Sequence, residues 1–245
     1  GSWTEGPSLE WERLPPRVEA IIAERTESLP AELRAMLGVA AVEGEEFTAE
    51  VVARVCDGTE KDTIRALSGP LGRQRGLVLA SRIERRMGSP DGAAGPGRRL
   101  SRYRFRHALF QKYLYERQDE SERAVLHEAV GDALEALAGS DSEGLAVLAP
   151  ALAWHFEAAG LYAKAIDYLL VAVRRAGDLL AFQESLVLAG RGLELLASLP
   201  PSAARDRQEL DLRLAMVYAL NSRAWGTAEQ VQMMERVQEL CERVG

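Results

Sequence analysis

Apolar residues recur at helical spacing along most of the chain, which predicts a largely helical protein. In the first 70 residues the pattern predicts four helices separated by short breaks that are polar or contain Pro or Gly. The first helix is expected to start at Pro16, the second at about Ala31, the third after a cap at Thr48, and the fourth near Thr59 or Glu60. Proline suits the first turn of a helix, and a threonine side chain can cap one. We expect Ser68-Gly69-Pro70 to end the fourth helix after about two turns.

The stretch Leu100–Tyr115 changes from strand spacing to helical spacing. In its first half, Tyr103 and Phe105 alternate with basic residues, which predicts a strand with one apolar and one basic face. The basic residues are Arg102, Arg104 and Arg106. From His107 onward, apolar residues recur at helical spacing. His107 therefore lies where a strand end meets the free N–H groups of a helix start, a place where proteins bind phosphate.

A second strand is predicted at Gly76–Leu79, and Gly88–Gly97 has the Gly and Pro content of a loop. Three short helices followed by two strands around a loop have the outline of a winged helix. We therefore expect a winged-helix domain over residues 31–118. Residues 1–30 are expected to form a linker and a helix that belongs to an upstream helical domain.

From residue 119 onward only helical patterns occur. A helix is predicted over 119–138, and with the hinge after it this helix forms a connecting segment over 119–145. Between Leu152 and Ala172, small and large residues occupy the positions of a tetratricopeptide repeat, with Gly160 at the turn. Later helices are predicted at 183–198, 204–221 and 227–244.

These helices predict tetratricopeptide-like repeats over residues 146–245. The expected fold is mainly α, with a winged-helix domain and small β wing followed by an antiparallel α-α superhelix. Phe156 and Tyr162 are expected in the core of the clearest repeat. In the helix at 204–221, one apolar face is predicted from four residues at helical spacing, Leu210, Leu214, Val217 and Tyr218.

The formal net charge is −7, but it is unevenly spread. Residues 61–117 contain 14 Lys or Arg against four Asp or Glu, a local charge of +10, so the remainder has −17. This balance argues against a protein that coats nucleic acid over its whole surface. For the three arginines at 102, 104 and 106, three interpretations remain open: protection of an edge strand, docking to another domain, and contact with nucleic-acid phosphates.

The sequence has no pattern typical of a catalytic or metal site. It lacks a GxxxxGK[ST] phosphate loop, and we interpret Gly69–Arg73 as a turn. His127 and His155 are far apart on Leu/Ala-rich helices, as expected of core or edge residues. Cys56 and Cys241 have no paired or metal-ligand spacing, which predicts reduced thiols in a cytoplasmic protein. No apolar run approaches the ~20 residues that span a bilayer, and no signal peptide is visible. We therefore expect no enzyme activity, bound metal or membrane partner.

Several segments follow one another in an order found in a known family. They are Leu29–Phe47, YRFRHALFQKYLY from Tyr103, LHEAVGDALEAL from Leu126 and LAWHFEAAGLYAKAIDYLL from Leu152. Together they resemble the bacterial STAND ATPases, which are signal-transduction ATPases with numerous domains. Within that family, the chain resembles the large predicted ATPases fused to adenylate cyclase, protein kinase or transcriptional-activator domains. Residues from about 15 to 245 are covered by the resemblance.

The resemblance implies that this chain is a fragment of a modular switch. An ATPase module that binds ATP or ADP would lie upstream as a partner in cis, and the winged helix would hold it in an ADP-bound closed state. The repeats would bind a protein or peptide partner, or another signal. His107 matches the position of the histidine that contacts the ADP phosphate in such switches, without the Met-His-Asp sequence of some branches. Ser68-Gly69-Pro70 departs from the family pattern, in which this helix continues.

Two alternatives stay open beside that interpretation. His107 could instead bridge backbone groups at the strand end. The whole chain could be a DNA-binding winged-helix transcriptional regulator with a helical ligand or dimerisation module, which the +10 region favours. Against DNA binding, the helix that would enter the major groove is expected to be short and to offer only Lys61 and Arg65. We therefore expect weak binding to nucleic acid.

Overall fold

The computed structural model describes residues 16–85, 99–221 and 228–244. These residues are mainly helical and include a small three-stranded antiparallel sheet, so the mainly α prediction is confirmed. The chain divides into two compact units, residues 1–122 and 123–245. The predicted linker before Pro16 and the predicted loop Gly88–Gly97 lie outside the described residues. Within these ranges, no helix combines the length and apolar character needed to cross a membrane.

The described residues of the first unit include five complete α-helices whose starts follow the sequence signals. They are α1 (Pro16–Glu27), α2 (Ala31–Glu43), α3 (Ala49–Val55), α4 (Glu60–Ala66) and α5 (Ala108–Glu116). Thr59 caps α4, because its hydroxyl oxygen accepts the Asp62 N–H at 3.1 Å. Thr48 precedes α3 but makes no capping bond; its hydroxyl donates to Glu43 instead.

The predicted break at Ser68-Gly69-Pro70 is wrong. A π-helical segment, Leu67–Gln74, continues directly from α4, and the Arg75 N–H donates to the Pro70 carbonyl at 3.1 Å. The wider π turn accommodates the proline ring that would disrupt a regular α-helix. Leu67 and Leu71 are fully buried and attach this segment to the core. Packing therefore outweighs the local tendency of Gly and Pro to end a helix.

The sheet has the order β1-β3-β2, from β1 (Glu46–Thr48), β2 (Val78–Arg85) and β3 (Arg99–Phe105). β1 was not expected, because three residues are too short to show an alternating pattern. β3 pairs with both other strands, Phe47 lying opposite Tyr103 and Val78 opposite Phe105. Since β3 is central, the interpretation of its arginines as protection of an edge strand is wrong.

The second unit consists of helices joined by short turns. They are α6 (Glu120–Ala138), which begins at the end of the first unit, α7 (Ser142–Ala158), α8 (Tyr162–Asp178), α9 (Phe182–Ala197), α10 (Ala203–Asn221) and α11 (Ala228–Val244). From α7 onward each helix packs against the next, and α10 also packs against α8. Gly131 of α6 permits close approach to the Phe156 ring of α7, because a Cβ added at Gly131 would lie 2.9 Å from that ring.

Two predictions about apolar positions in the second unit need correction. Phe156 is fully buried as expected, but Tyr162 is 37% exposed. In α10 the buried apolar residues are Leu212 and Ala219, whereas Leu214 and Tyr218 of the predicted apolar face are 45% and 62% exposed. The helix is therefore rotated relative to the face that its sequence suggested.

His127 and His155, which are distant in sequence, meet between α6 and α7. Their Nδ1 atoms lie 2.9 Å apart, and each residue is 1% exposed. Burial lowers the pKa of His127 to about 4, aided by Arg123, and that of His155 to about 3, aided by His127. Both imidazoles are therefore neutral at pH 7, with one Nδ1–H donating to the other Nδ1. Trp154 lies edge-on to both rings.

The turn between α7 and α8 requires a left-handed residue, which Gly160 provides at φ +76°. The Gly160 N–H donates to Glu157 and the Leu161 N–H to Phe156, closing the end of α7. No atom beyond its chain neighbours lies within 4 Å of a Cβ added at this position. Only backbone strain therefore opposes a side chain here.

Replacing Gly160 by Leu should lower the free energy of unfolding by about 1 kcal/mol, because an L side chain is disfavoured at positive φ. Chemical denaturation of the wild type and the variant measures this difference. Gly190→Leu, in the middle of α9 with equally open space around its Cβ, is the matched control and should not destabilise the protein. Equal effects at the two positions would contradict the assigned turn geometry.

Candidate functional site

His107 lies between β3 and α5, where the chain changes from extended to helical conformation. Its backbone is extended, with φ −139° and ψ +136°, and its carbonyl accepts the Phe110 N–H at 3.0 Å. The imidazole makes no capping bond to the helix and is exposed. The ring is therefore available to a ligand or partner beside the first turn of α5.

A cleft of about 750 Å³ opens beside His107 within the first unit. Its apolar lining residues include Leu67, Val78, Leu79 and Ala80. Its basic residues come from three parts of the chain. They are Arg25 at the end of α1, Arg73 and Arg75 around the end of the π-helical segment, and Arg106 next to His107. We call this site the basic cleft.

The four arginines of the basic cleft have no carboxylate partner within the described parts of the chain. The Arg73 Nε donates to the Ser68 carbonyl at 3.2 Å, and Arg75 Nη1 donates to the Ser28 hydroxyl at 3.0 Å. These are neutral acceptors, so the guanidinium charges remain uncompensated. Four such charges beside one cleft produce a positive potential that attracts anions, and guanidinium groups are well suited to phosphate oxygens.

Two glycines shape the wall of the basic cleft. A Cβ at Gly72 would lie 2.7 Å from the Leu67 carbonyl oxygen, so no side chain fits there without a backbone shift. Gly76 has φ +62°, and the Arg106 guanidinium lies against it, with Nε 3.7 Å from the position of an added Cβ. Gly69–Arg73, which the sequence predicted as a turn, is thus part of the π-helical segment, and Arg106 lies against Gly76 just after that segment.

The three arginines predicted as contact residues occupy different environments. Arg102 has a side chain only 19% exposed, and its Nη1 donates to the Thr48 hydroxyl at 2.7 Å. Its Nε also lies 3.5 Å from a carboxylate oxygen of Glu84. Arg104 is exposed and does not line the basic cleft, whereas Arg106 does. The structure therefore brings Arg106 together with His107, and places Arg102 in an internal network.

Glu43 is the acidic centre of that network, with a side chain 5% exposed. Its carboxylate accepts the Thr48 N–H at 3.0 Å and the Thr48 hydroxyl at 2.6 Å, and it lies 3.5 Å from Arg102. Burial nevertheless raises the pKa of Glu43 to about 7, because the cost of desolvating the carboxylate exceeds the effect of these contacts. Glu43 thus changes charge near neutral pH.

Sequence reasoning missed Arg25, Arg73 and Arg75 as members of the site. Arg73 and Arg75 belong to the basic region between residues 61 and 117, and that charge could have suggested them. Arg25 lies in a different helix, and no local pattern links it to His107. Among the described residues, no group of three or more His, Cys, Asp or Glu side chains could hold a metal ion. The residues present suit the binding of an anion with several negative charges.

Comparison with protein-family models, curated proteins and solved structures found no match for this chain.

Glu43→Gln should remove a pH dependence of the stability of the first unit. Because the folded-state pKa is raised, Glu43 contributes stability that is fully present below about pH 4.5 and is lost as the pH rises through about 7. The wild type should therefore lose about 2 kcal/mol more than the variant between pH 5.5 and pH 7.5. Urea denaturation of both proteins at the two pH values measures this, with Glu45→Gln at an exposed neighbouring position as the control. The same pH dependence in wild type and Glu43→Gln would contradict the assignment.

Proposed function

We propose that this chain is a regulatory and sensor segment of a STAND-type signalling ATPase. In this proposal, the first unit is a winged-helix domain that gates a nucleotide-binding module, and the second is a tetratricopeptide-like array that binds a protein or peptide partner. The order of the segments that resemble this family supports the proposal. The chain itself has no phosphate loop and acts through binding.

The observation that carries the proposal is the position of His107 at the basic cleft. A histidine N–H can donate to a phosphate oxygen. The guanidinium groups of Arg25, Arg73, Arg75 and Arg106, which have no carboxylate partner among the described residues, favour a polyanion next to it. In the closed state, His107 would contact the terminal phosphate of ADP held by the upstream module. The contact would link the first unit to that module and stabilise the inactive form.

A contact of this kind is strong enough to regulate a switch. A hydrogen bond to a charged group contributes about 1.5 to 3 kcal/mol, which corresponds to roughly a tenfold to hundredfold change in an equilibrium between closed and open forms. The signal recognised by the second unit would need to supply a comparable free energy in favour of the open form. Such a value is typical of coupling between two sites.

Replacing His107 by Ala in the protein that includes the nucleotide module should increase the ADP dissociation rate about tenfold or more and activate signalling without an inducer. Arg106→Ala should act in the same direction, because Arg106 lines the basic cleft. Arg104→Ala is the matched control: it is an exposed arginine of the same strand outside the cleft, and it should leave the rate unchanged. Stopped-flow release of a fluorescent ADP analogue measures the rates.

The thermal midpoint of each variant distinguishes a phosphate contact from a packing role. If His107 only packs against neighbouring backbone and Phe110, its replacement should lower thermal stability and leave the ADP dissociation rate unchanged. That result would remove His107 from the site.

Micromolar binding of ATP or ADP by this chain alone, measured by calorimetry, would contradict the proposal that an upstream module, and not this chain, holds the nucleotide.

DNA binding is a second candidate function, and one observation now favours it more than the sequence did. The helix that would enter a major groove does not end before Pro70, since seven α-helical residues are followed by eight π-helical residues. Its exposed cations are Lys61, Arg65 and Arg73. Arg65 pairs with Asp62, however, which reduces the charge available to phosphates.

If the proposed regulatory function is correct, this chain should bind DNA weakly, with a strong dependence on salt and no sequence preference. The reason is that exposed arginines contact phosphates and not base edges. Mobility-shift assays with random and genomic duplexes at physiological salt measure this, and Lys61→Ala should weaken binding equally for every duplex. A genomic site bound roughly a thousandfold more tightly than random DNA would make DNA-binding regulation the better hypothesis.

A further inference from the structure

The turn between α8 and α9 repeats the turn between α7 and α8, but with a leucine in place of glycine. In the first turn the N–H groups of Gly160 and Leu161 donate to Glu157 and Phe156. In the second the N–H groups of Leu180 and Ala181 donate to Gly177 and Ala176, with the same spacing and distances of 2.9 and 2.8 Å. Leu180 has φ +57°, a conformation that is unfavourable for a residue with a side chain.

The leucine side chains at this turn gain little from burial. Leu179 and Leu180 are each 65% exposed, so packing within the second unit does not offset the strain at Leu180. A glycine would make the same turn without that strain, as Gly160 does. A strained residue in an exposed position is a basis for inferring a function, because the local structure does not otherwise benefit from it.

Apolar residues continue directly after these two leucines, beginning with the half-buried Phe182. Phe182 follows the turn, and its ring is 6.0 Å from that of Tyr218 on α10. Tyr218 is 62% exposed, and Leu214, one helical turn away, is 45% exposed. We call these five residues the leucine-turn surface. Tyrosine, phenylalanine and leucine side chains grouped in this way are typical of protein–protein contact sites.

The charges around the leucine-turn surface indicate what kind of partner fits it. Asp178 and Glu184 lie on either side of the turn and are exposed, and their side chains have no ion pair or hydrogen bond among the residues described here. Residues 123–245 also contain 17 Asp or Glu against 11 Lys or Arg. A second copy of the chain would bring the same acidic groups together, and an anionic lipid surface would be repelled. Basic residues beside an apolar segment would match both features.

We infer that the leucine-turn surface docks a protein segment that presents apolar side chains flanked by Lys or Arg, such as one face of a basic amphipathic helix. Leu179 and Leu180 insert between the apolar side chains of that segment, and Asp178 and Glu184 pair with its basic residues. The inference rests on the proposed role of the second unit in binding a protein partner, and it specifies the site and the chemistry of the partner.

Leu180→Gly is the decisive variant, because it removes the docking side chain while relieving backbone strain. The probes are two fluorescein-labelled 18-residue helical peptides with the same leucine stripe, one flanked by Lys and the other by Glu. Fluorescence anisotropy with the 245-residue chain should show tighter binding of the Lys-flanked peptide. Leu180→Gly should weaken its binding about tenfold, as expected for a central apolar contact, without lowering the thermal midpoint. The double variant Asp178→Asn, Glu184→Gln should reduce the preference for Lys over Glu.

The matched control is Val125→Ser, which also removes an exposed apolar side chain from the second unit. Val125 is 65% exposed on α6, near His127, whose ring contacts Trp154 at the C-terminal part of α7. The α8–α9 turn lies at the opposite end, because Arg175 of α8 pairs with Glu143 near the start of α7. Val125→Ser should bind the Lys-flanked peptide as the wild type does. A loss equal to that of Leu180→Gly would overturn the inference.

Three further outcomes would overturn the inference and are distinguishable from failure of the proposed function. Unchanged peptide binding by Leu180→Gly would place any partner site elsewhere in the second unit and leave the nucleotide switch untouched. Self-association of the chain that Leu180→Gly abolishes, measured by sedimentation, would make the surface a contact between copies. The chain could also bind vesicles of phosphatidylcholine alone as tightly as the Lys-flanked peptide. If Leu180→Gly abolished that binding, the leucine-turn surface would be assigned to lipid. The ADP dissociation rates of the His107 variants test the switch independently.

Discussion

The central strand β3 must satisfy hydrogen-bonding groups on both of its edges, and the arrangement of the first unit depends on how it does so. Near its C-terminal end, the Phe105 N–H donates to Glu45 on one side, and the following Arg106 N–H donates to Leu77 on the other. Farther back, where β1 has already ended, the carboxylate of Glu50 accepts the Ser101 N–H at 2.9 Å. The Glu50 side chain thus accepts a hydrogen bond from β3 at a point that the short strand β1 does not reach. Because both edges are held immediately before His107, the position of His107 follows from the sheet.

The apolar face of β3 explains why this sheet is stable despite its small size. Tyr103 and Phe105 are nearly fully buried, and both rings pack against Phe47 of β1, with centroid distances of 6.1 and 5.2 Å. Pairs of aromatic rings in such arrangements stabilise a core beyond the area that they bury. The Tyr103 hydroxyl also lies 2.7 Å from that of Ser68, which joins the sheet to the π-helical segment. The wall of the basic cleft is therefore held to the strand that ends at its histidine.

The two units use charge in different ways, and their proposed functions follow from this difference. In the first unit, the arginines that line the basic cleft have no carboxylate partner among the described residues, so their charge remains available to an anion. In the second unit, many charged residues are paired between neighbouring helices: Lys164 contacts Asp132 and Glu135, and Arg236 contacts Glu209. These pairs link α8 to α6 and α11 to α10. Asp178 and Glu184 remain outside that network, next to exposed leucines, which is why they indicate a partner.

The amino-acid sequence by itself determined those features that depend on neighbours along the chain. Helical periodicity, the Thr59 cap, the alternation in β3 and the glycine at the α7–α8 turn are local, so a single sequence shows them. Only the tertiary structure decided the pairing of β1, the continuation of the helix through Pro70, and the meeting of His127 with His155. It also decided that Arg25 shares a cleft with Arg106, and that Arg102 lies among internal partners. The physical reason is that each of these features depends on contacts between residues distant in sequence, whose free energies outweigh local preferences and leave no periodic pattern in the chain.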